Sequence, residues 1–369
     1  MKTGMQSGMQ TGIDAVIDAA LGARIVGCVV LVSRHGQMLY GRAAGLADRE
    51  AGRAMARDTV FRLASVTKPI VAVATLRMVD QGKLRLDDPV QRYLPDFRPL
   101  APDGSRPDIS LHHLLTHTSG LTYGGDGDHS RGLAGPLISL DENMARLARQ
   151  ALVFTPGSGW EYGMSIDVLA AALAVIDGPT VGDVVARQVT GPLAMVDTAF
   201  GVDDPMRLAV PYRDGRPPVR MGEPELVVGD DGSVTPFSPE RILQPTAPQS
   251  GGAGMAGTAD DVMRLLQAVQ GDFLAPETRA LALGNRIGEI ARRPDDAGKR
   301  FGYLGAVTVD AGAAKTVMPV GSVDWGGAWG HNWVLDPASG TCIVTMTNTA
   351  FEGCNGPFRE EIYRAVFGG

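Results

Sequence analysis

The two ends of the chain carry mirror-image patterns, and these constrain the fold more than any other feature. Residues 10–21 have apolar side chains at helical spacing, and two strand-like runs follow at 25–34 and 37–45, separated by a short turn. The other end repeats this arrangement in reverse, with two strand-like runs and then a helix-like run, at 327–336, 341–348 and 357–367. The pattern predicts an α/β fold of the α+β type, in which both chain ends build one central antiparallel sheet flanked by helices.

The middle of the chain has a different character. Helical patterns separated by loops dominate residues 69–155, which predicts an inserted and mostly helical domain. We therefore expect a sheet domain formed by residues 1–75 and 165–369, a helical domain formed by residues 76–164, and an active site in the cleft between them. Residues 201–250 are rich in Pro, Gly and Asp, and we expect long surface loops there.

Composition excludes several classes of partner. The chain has 369 residues, of which 44% are hydrophobic and 20% charged, and its net charge is -7. Because Lys and Arg do not cluster, we expect no nucleic-acid partner. The sequence has neither a signal-peptide pattern nor an apolar run long enough to span a membrane, so we expect a cytoplasmic protein with no membrane partner. The oligomeric state is left open.

The three cysteines are too few for a paired disulfide framework. Cys28 and Cys342 lie in strand-like apolar runs, and we expect them to be buried thiols in a reducing compartment. Cys354 lies in a loop, where we expect it to be more exposed.

A serine and a lysine are spaced for chemistry near residue 65. In the run RLASVTKPIVAVATLRMVDQG, Ser65 comes one helical turn before Lys68, and the apolar residues that follow predict a buried helix. Ser65 would stand near the N-terminus of this helix, where free N–H groups and the helix dipole favour developing negative charge. Chance gives roughly 0.2 such S-x-x-K matches in this composition, and this is the only one in the chain. Alone, the motif also fits a plain helix cap followed by a surface lysine.

Four further motifs occur in order along the chain. They are LLTHTSGL at 114–121, FTPGSGWEYGMSIDVLA at 154–170, SGGAGMAGTADDVMRL at 250–265 and DWGGAWGHNWVLDP at 324–337. Together with S-x-x-K, this set resembles the serine β-lactamase and penicillin-binding-protein superfamily. Within it the set is most similar to the class C β-lactamase-like carboxylesterases, called family VIII esterases. The resemblance covers nearly the whole chain and implies a β-lactamase/transpeptidase-like fold.

The resemblance also implies roles for particular residues. Ser65 matches the nucleophile, Lys68 its partner in S-x-x-K, and Tyr162 the tyrosine of the Y-x-N element. The backbone N–H groups of Ser65 and of Ala328, which we expect to be a strand residue, would form the oxyanion hole. The resemblance implies no cofactor and no metal ion.

Two departures from the superfamily pattern bear on the substrate. Met164 occupies the asparagine place of Y-x-N, and Trp325 replaces the lysine of K-T-G, which helps lactam-hydrolysing relatives hold a carboxylate. An indole in place of a cation favours an apolar acyl or alcohol group, and therefore an ester. The pair Lys315–Thr316 is not followed by glycine, so we set it aside as a match to K-T-G. The residues expected to contact substrate are Trp160, Met164, Trp325, Gly326, Gly327 and His331.

The tryptophans of the last motif are evenly spaced. Trp325, Trp329 and Trp333 recur every four residues, which would put them on one face of a single strand. We expect Trp329 and Trp333 to belong to the core, and Trp325 to form part of the pocket wall.

The predicted function is a serine carboxylesterase that hydrolyses short-chain or aryl esters through an acyl-enzyme on Ser65. Serine needs a base, and we expect Lys68 and Tyr162 to share one proton, with Lys⁺/Tyr⁻ and Lys⁰/TyrOH equally compatible with the sequence. Three alternatives stay open: an acyltransferase using the same acyl-enzyme, an amide hydrolase of the β-lactamase or D-aminopeptidase type, and a non-catalytic binding protein on the same scaffold.

Histidine chemistry is disfavoured by the motifs. His331 follows WGGAWG and could be considered as a base, but no serine lies in a G-x-S-x-G elbow. His113 and His117 have a metal-like spacing, but the glutamate of H-E-x-x-H is absent. We therefore expect structural roles for these histidines.

Overall fold

The computed structural model describes residues 2–124, 129, 131–228, 232, 234–292 and 296–368, with side chains from Ser7 onward. Its strands are β1 (Gly27–Arg34), β2 (Gln37–Asp48), β3 (Arg53–Ala54), β4 (Phe61–Arg62), β5 (Tyr212–Arg213), β6 (Val219–Arg220), β7 (Glu225–Val228), β8 (Val234–Phe237), β9 (Ala256–Gly257), β10 (Lys299–Phe301), β11 (Ala306–Thr308), β12 (Val323–Gly327), β13 (His331–Asp336) and β14 (Thr341–Thr347). Its α-helices are α1 (Lys2–Ala20), α2 (Thr67–Asp80), α3 (Leu111–Leu115), α4 (Leu140–Leu147), α5 (Ser165–Asp177), α6 (Val181–Val185), α7 (Ala259–Gln270), α8 (Pro276–Leu283) and α9 (Pro357–Phe367).

An eight-stranded sheet forms the centre of the molecule, in the order β10-β11-β12-β13-β14-β1-β2-β3. Strand β1, from the start of the chain, pairs antiparallel with β14, from its end, between Cys28 opposite Thr347 and Arg34 opposite Thr341. Because β1 also pairs with β2, and β14 with β13, the two predicted hairpins lie side by side. The prediction of one antiparallel sheet built from both chain ends, with helices against it, is confirmed.

The side chains of β1 enter two separate cores, because successive residues of a strand face opposite sides of the sheet. Val30 and Val32 pack with apolar residues of α1 and α9. Val29 and Leu31 face the larger core, which includes residues of α2, α5 and α7. Burial on both faces explains why this strand reads as a continuous apolar run and does not alternate with polar residues.

A turn interrupts the run over residues 327–336. Strand β12 ends at Gly327, and the N–H of Gly330 donates a hydrogen bond back to the Gly327 carbonyl at 2.9 Å. Gly330 has a φ of 107°, a conformation that residues with a side chain rarely adopt. Strand β13 then begins at His331, so the chain reverses within residues 328–330.

This turn corrects two expectations. Trp325 in β12 lies opposite Trp333 in β13, and Trp329 lies in the turn, so the three tryptophans do not share one face of a single strand. Ala328 is likewise a turn residue and not a strand residue. Trp329 and Trp333 are buried in cores, as expected.

Helix α2 is buried along almost its whole length, because it lies among α5, α6 and α8 and shares the larger core with residues of β1. It is continuous from Thr67 to Asp80 and therefore runs through the predicted domain boundary after residue 75. The division into a sheet domain and a helical domain stays a prediction. In the described part of residues 201–250, loops are interrupted only by 3₁₀ turns and the short strands β5–β8.

No single helix in the described part of the chain has both the length and the apolarity of a membrane span. The bent pair Ser165–Asp177 and Val181–Thr190 meets that test by length and composition alone.

The three cysteines are free thiols, and each is buried. Cys354 is 8% exposed and Cys28 and Cys342 are 0% exposed, so Cys354 is the more exposed one, as expected, although it too is buried. Its burial follows from the close approach of β12, since a Cβ added to Gly326 would lie 2.8 Å from the Cys354 Sγ. Burial raises the pKa of the Cys354 thiol to about 11.

Candidate active site

Ser65 lies in a sharp connection between strand β4 and helix α2. Strand β4 pairs with β9, and a 3₁₀ turn, Ala64–Val66, follows it directly. Ala64 is fully buried and has a φ of 46°, in the left-handed region that costs free energy for a residue with a side chain. This strained turn lets the chain pass from strand to helix within a few residues, and it leaves Ser65 half-buried at the helix N-terminus.

Lys68 is held against Ser65 by three hydrogen bonds. Its side chain is buried, with the residue 4% exposed. The Nζ donates to the Ser65 Oγ at 3.3 Å, to the Tyr123 hydroxyl at 2.9 Å and to the Gly252 carbonyl at 2.8 Å. An ammonium group has three N–H donors, so these three acceptors fix its position.

The charge on Lys68 reflects two opposing effects. Burial disfavours the ammonium form, but the nearby Tyr123, Tyr162 and Asp167 outweigh it, so the pKa of Lys68 lies above its ordinary value. The resting lysine is therefore an ammonium group near neutral pH. Lys68 can act as a base only after one proton has left the group formed by Lys68, Tyr123 and Tyr162.

Tyr162 faces Lys68 with its ring. The Nζ lies 4.6 Å from the ring centroid, while the Tyr162 hydroxyl accepts a hydrogen bond from the Trp325 Nε1 at 3.1 Å. The predicted serine, lysine and tyrosine thus come together, with the indole of Trp325 beside them.

Tyr123 is a residue that the sequence analysis missed. Its hydroxyl, not that of Tyr162, accepts the hydrogen bond from Lys68. Its ring meets the Tyr162 ring edge-on at 5.6 Å between centroids. The only signal in the sequence was its position two residues after the LLTHTSGL motif, which does not reveal a contact with a helix that precedes it by 55 residues.

An aromatic cluster holds Tyr162 in place. The His117 ring lies 4.7 Å from the Tyr162 ring, Trp160 stacks at 6.3 Å, and Trp325 lies at 5.0 Å. Burial keeps the pKa of His117 well below its ordinary value, so this histidine is neutral. Among the described residues no group of three or more His, Cys, Asp or Glu could hold a metal ion, and a structural role for His117 stays a prediction.

The predicted oxyanion hole depends on a glycine. A Cβ added to Gly327 would lie 2.4 Å from the Leu63 carbonyl oxygen, so only glycine lets β12 approach the turn that carries Ser65. Within the described chain, the N–H groups of Ser65 and Ala328 donate no hydrogen bond, and both residues line one cleft. Both N–H groups are available to a ligand oxygen.

The cleft beside Ser65 has a volume of about 420 Å³ and two kinds of wall. Near Ser65 it is lined by Trp160, Tyr162 and Trp325. Its other walls contain charged side chains, among them the ion pairs Arg292–Asp296 at 2.9 Å, Lys299–Asp324 and Arg359–Glu360 at 2.8 Å. Lys315 and Thr316, set aside in the sequence analysis, also line this cleft.

Three of the residues expected to contact substrate, Met164, Gly327 and His331, do not line the cleft, whereas Gly326 does. Met164 is fully buried in the main core, where it caps helix α5. His331 is 1% exposed, and its Nε2 lies 2.8 Å from the Arg62 carbonyl oxygen. Burial lowers the pKa of His331 to about 4, so it is neutral and packs beside strand β4.

Comparison with known proteins shows the family of the chain. The family model described as Beta-lactamase matches residues 13–363. The chain belongs to the β-lactamase family. Within it, the chain is 48% identical over 359 residues to Esterase EstB of Burkholderia gladioli, which covers 93% of this chain and 91% of that protein. This β-lactamase-family chain is also 32% identical to Protein Rv1367c of Mycobacterium tuberculosis, over 87% of this chain and 85% of that protein.

Solved structures of relatives confirm the β-lactamase-like fold. EstCE1, titled a hydrolase with promiscuous acyltransferase activity, is similar with a TM-score of 0.93 and 37% identity, covering 98% of this chain and 99% of that one. A mutant of simvastatin synthase from Aspergillus terreus is similar with a TM-score of 0.71 at 22% identity, over 99% of this chain and 94% of that one. The second likeness concerns the fold alone.

Proposed function

We propose that this chain is a serine carboxylesterase that hydrolyses short-chain or aryl esters through an acyl-enzyme on Ser65. The observation that carries the proposal is the fixed contact of the Lys68 Nζ with the Ser65 Oγ, beside a tyrosine and an indole that line the same cleft. The likeness to Esterase EstB over nearly the whole chain supports ester hydrolysis.

In the first step, the Ser65 Oγ attacks the ester carbonyl carbon and its proton passes to the deprotonated set of Lys68 and Tyr162. The negative charge that develops on the carbonyl oxygen is stabilised by the N–H groups of Ser65 and Ala328. Each such donor contributes about 3–4 kcal/mol to transition-state stabilisation. The aromatic cluster keeps the Tyr162 ring in one orientation, so the proton acceptor needs no rearrangement during the step.

In the second step, the tetrahedral intermediate collapses, the C–O bond to the alcohol breaks, and the lysine–tyrosine set returns the proton to the leaving oxygen. A water molecule then loses a proton to the same set and attacks the acyl carbon. The second tetrahedral intermediate collapses, the C–O bond to Ser65 breaks, and the set returns the proton to the Ser65 Oγ as the carboxylic acid leaves. Tyr162 lines the cleft, so its hydroxyl is the member of the set that faces the leaving group.

The absence of a K-T-G lysine favours esters over β-lactams. Trp325 occupies that position, and its Nε1 is engaged with the Tyr162 hydroxyl. The Arg292 guanidinium lies 5.4 Å from the Trp325 ring, but it is paired with Asp296. An apolar or aryl group of an ester fits the aromatic wall better than a lactam carboxylate does.

A substrate panel tests the proposal. p-Nitrophenyl esters from acetate to decanoate are assayed beside a chromogenic cephalosporin, with Ser65→Ala as the control. We expect turnover that is highest for the short esters, little opening of the lactam, and loss of activity in the variant. Rapid lactam turnover with inert esters would overturn the substrate class, and an active Ser65→Ala variant would overturn the acyl-enzyme.

Acyl transfer is a second candidate function, favoured by the likeness to EstCE1, whose title names a promiscuous acyltransferase activity. The same acyl-enzyme would react with an alcohol in place of water. Adding benzyl alcohol to the p-nitrophenyl acetate assay and measuring benzyl acetate against acetic acid separates the two. If the ratio of benzyl acetate to acetic acid stays below the ratio of the benzyl alcohol concentration to the water concentration, the result argues against acyl transfer.

We also propose that the protein works in the cytoplasm. Its three buried free thiols support a reducing compartment. Cell fractionation with a thiol-alkylation readout tests this, and a secreted protein with an oxidised cysteine would contradict it.

A further inference from the structure

A buried carboxylate lies beside Lys68 that the proposed mechanism does not use. Asp167, in the first turn of α5, is 1% exposed. Its Oδ1 accepts a hydrogen bond from the Ser250 hydroxyl, and its Oδ2, which accepts none from a side chain, lies against the backbone of Gly252, whose N–H favours the charged form and lowers the pKa of this carboxyl group. Burying a carboxylate with no cation bonded directly to it costs stability, so a structural role alone accounts poorly for this residue.

The position of Gly252 relates this carboxylate to Lys68. The Gly252 carbonyl accepts one of the three lysine hydrogen bonds. A Cβ added to Gly252 would lie 2.3 Å from the Asp167 Oδ2 and 3.4 Å from the Lys68 Nζ. The carboxylate and the ammonium group thus border a space that only glycine leaves open, and they are less than about 6 Å apart.

We propose that Asp167 is a positioning residue, the buried counter-charge that orients the Lys68 ammonium group and sets the pH at which Ser65 becomes reactive. The proposal rests on the proposed esterase function. Asp167 does not line the cleft, so it acts on substrate only through Lys68.

Other charged and titratable groups face this pair from each element packed around it. Around Lys68 these groups are Ser65 in the turn before α2, Tyr123 in the loop after α3, and Tyr162 just before α5. His117 lies behind Tyr162, and Arg241 lies near Asp167. Burial raises the pKa of Asp167, and the positive charge of Lys68 opposes that rise. Asp167 is the one carboxylate among the described groups that act on Lys68. His117 is neutral and adds no charge.

The substitution Asp167→Asn tests the proposal because it removes the charge and keeps the shape. Without the negative charge the lysine–tyrosine set loses its proton more easily. The acid limb of log kcat/KM against pH should therefore move to lower pH by about one to two units. The plateau kcat should fall roughly tenfold, because a weaker base accepts the serine proton less well, while KM changes less than about twofold.

Asp261→Asn is the matched control. Asp261 is also buried and also lies in the first turn of a helix, α7, but its carboxylate bonds to Thr198, the Asp197 N–H and Arg264. This control should lower the melting temperature and leave the acid limb where it is. If Asp167→Asn does not fold, Asp167→Glu and Asp167→Gln, which match each other in size, separate charge from packing in the same way.

The outcomes of this test separate the two proposals. If the wild-type protein cleaves no ester, the proposed function fails. If it cleaves esters but folded Asp167→Asn, or the Glu and Gln pair, leaves the acid limb within about 0.3 unit, the counter-charge role is wrong and the esterase function stands.

Discussion

Cationic side chains occur in two regions around the cleft, and the groups bonded to them differ. The charged walls contain direct ion pairs with carboxylates, such as Arg292–Asp296 and Lys299–Asp324. The second region lies next to Ser65, and we call it the inner region. There Lys68 donates to two hydroxyl groups and a carbonyl. A directly paired cation keeps one protonation state, whereas a lysine bound to weakly acidic hydroxyls can exchange a proton with them. The ion-paired Lys299 thus stabilises the fold, whereas Lys68 takes part in proton transfer.

Lys68→Met and Lys299→Met should give opposite results, and this is the largest effect we expect. Lys68→Met should lower kcat at least roughly a thousandfold, because the serine loses its proton acceptor. Lys299→Met leaves the buried Asp324 without its partner, so it should lower the unfolding free energy by about 3 kcal/mol. Its kcat should stay within about tenfold of wild type. Steady-state kinetics with p-nitrophenyl acetate and chemical denaturation measure both. A catalytic loss of equal size in the two variants would remove the distinction between the regions.

Within the inner region, the two tyrosines should differ. Tyr162→Phe should lower kcat about a hundredfold, because Tyr162 lines the cleft and its hydroxyl, in the proposed mechanism, returns the proton to the leaving group. Tyr123→Phe should lower kcat only about tenfold, because Tyr123 does not line the cleft and holds Lys68 by a hydrogen bond. The comparison uses p-nitrophenyl acetate at the pH of maximum activity. A larger loss for Tyr123→Phe would make Tyr123 the proton donor.

The pH dependence of the wild-type enzyme should report the inner region and not the histidines. The pKa of Lys68 is raised, so the set holds its extra proton at neutral pH and loses it only as the pH rises. We therefore expect kcat/KM to increase about tenfold per pH unit between pH 6 and 8. Burial lowers the pKa of His331 to about 4, so no inflection from it is expected near pH 6.5. A profile that is flat above pH 6.5 would contradict the ammonium resting state.

A smaller effect should separate two tryptophans. Trp325→Phe removes the hydrogen bond to the Tyr162 hydroxyl and should lower kcat about fivefold. Trp329→Phe is the matched control, since Trp329 packs against Phe237 at 4.6 Å in a separate core. It should lower the melting temperature and leave kcat within about twofold. Equal kinetic losses in the two variants would show that Trp325 acts only by packing.

The sequence predicted those features that local pattern determines. The apolar runs of β1 and β14 predicted a sheet from both chain ends, because strands buried on both faces are continuously apolar. The S-x-x-K spacing predicted the contact of Ser65 with Lys68, because residues three apart in a helix share one face.

Other features depend on long-range packing and were missed or misjudged. Tyr123 and Asp167 meet Lys68 only in the folded chain, and neither lies in a pattern that marks such a contact. Even spacing placed three tryptophans on one strand, but the positive φ of Gly330 reverses the chain between them. Met164 and His331 lie next to residues of the cleft in sequence, yet their side chains are buried elsewhere.

The most direct test of the serine mechanism is to trap the acyl group. The Tyr162→Phe variant is mixed with p-nitrophenyl acetate, quenched in acid within the first turnover, digested and analysed by mass spectrometry. We predict one acetyl group on Ser65, absent when Ser65→Ala is combined with the same variant. An acetyl group on another side chain, or p-nitrophenol release at the wild-type rate from Ser65→Ala, would contradict it.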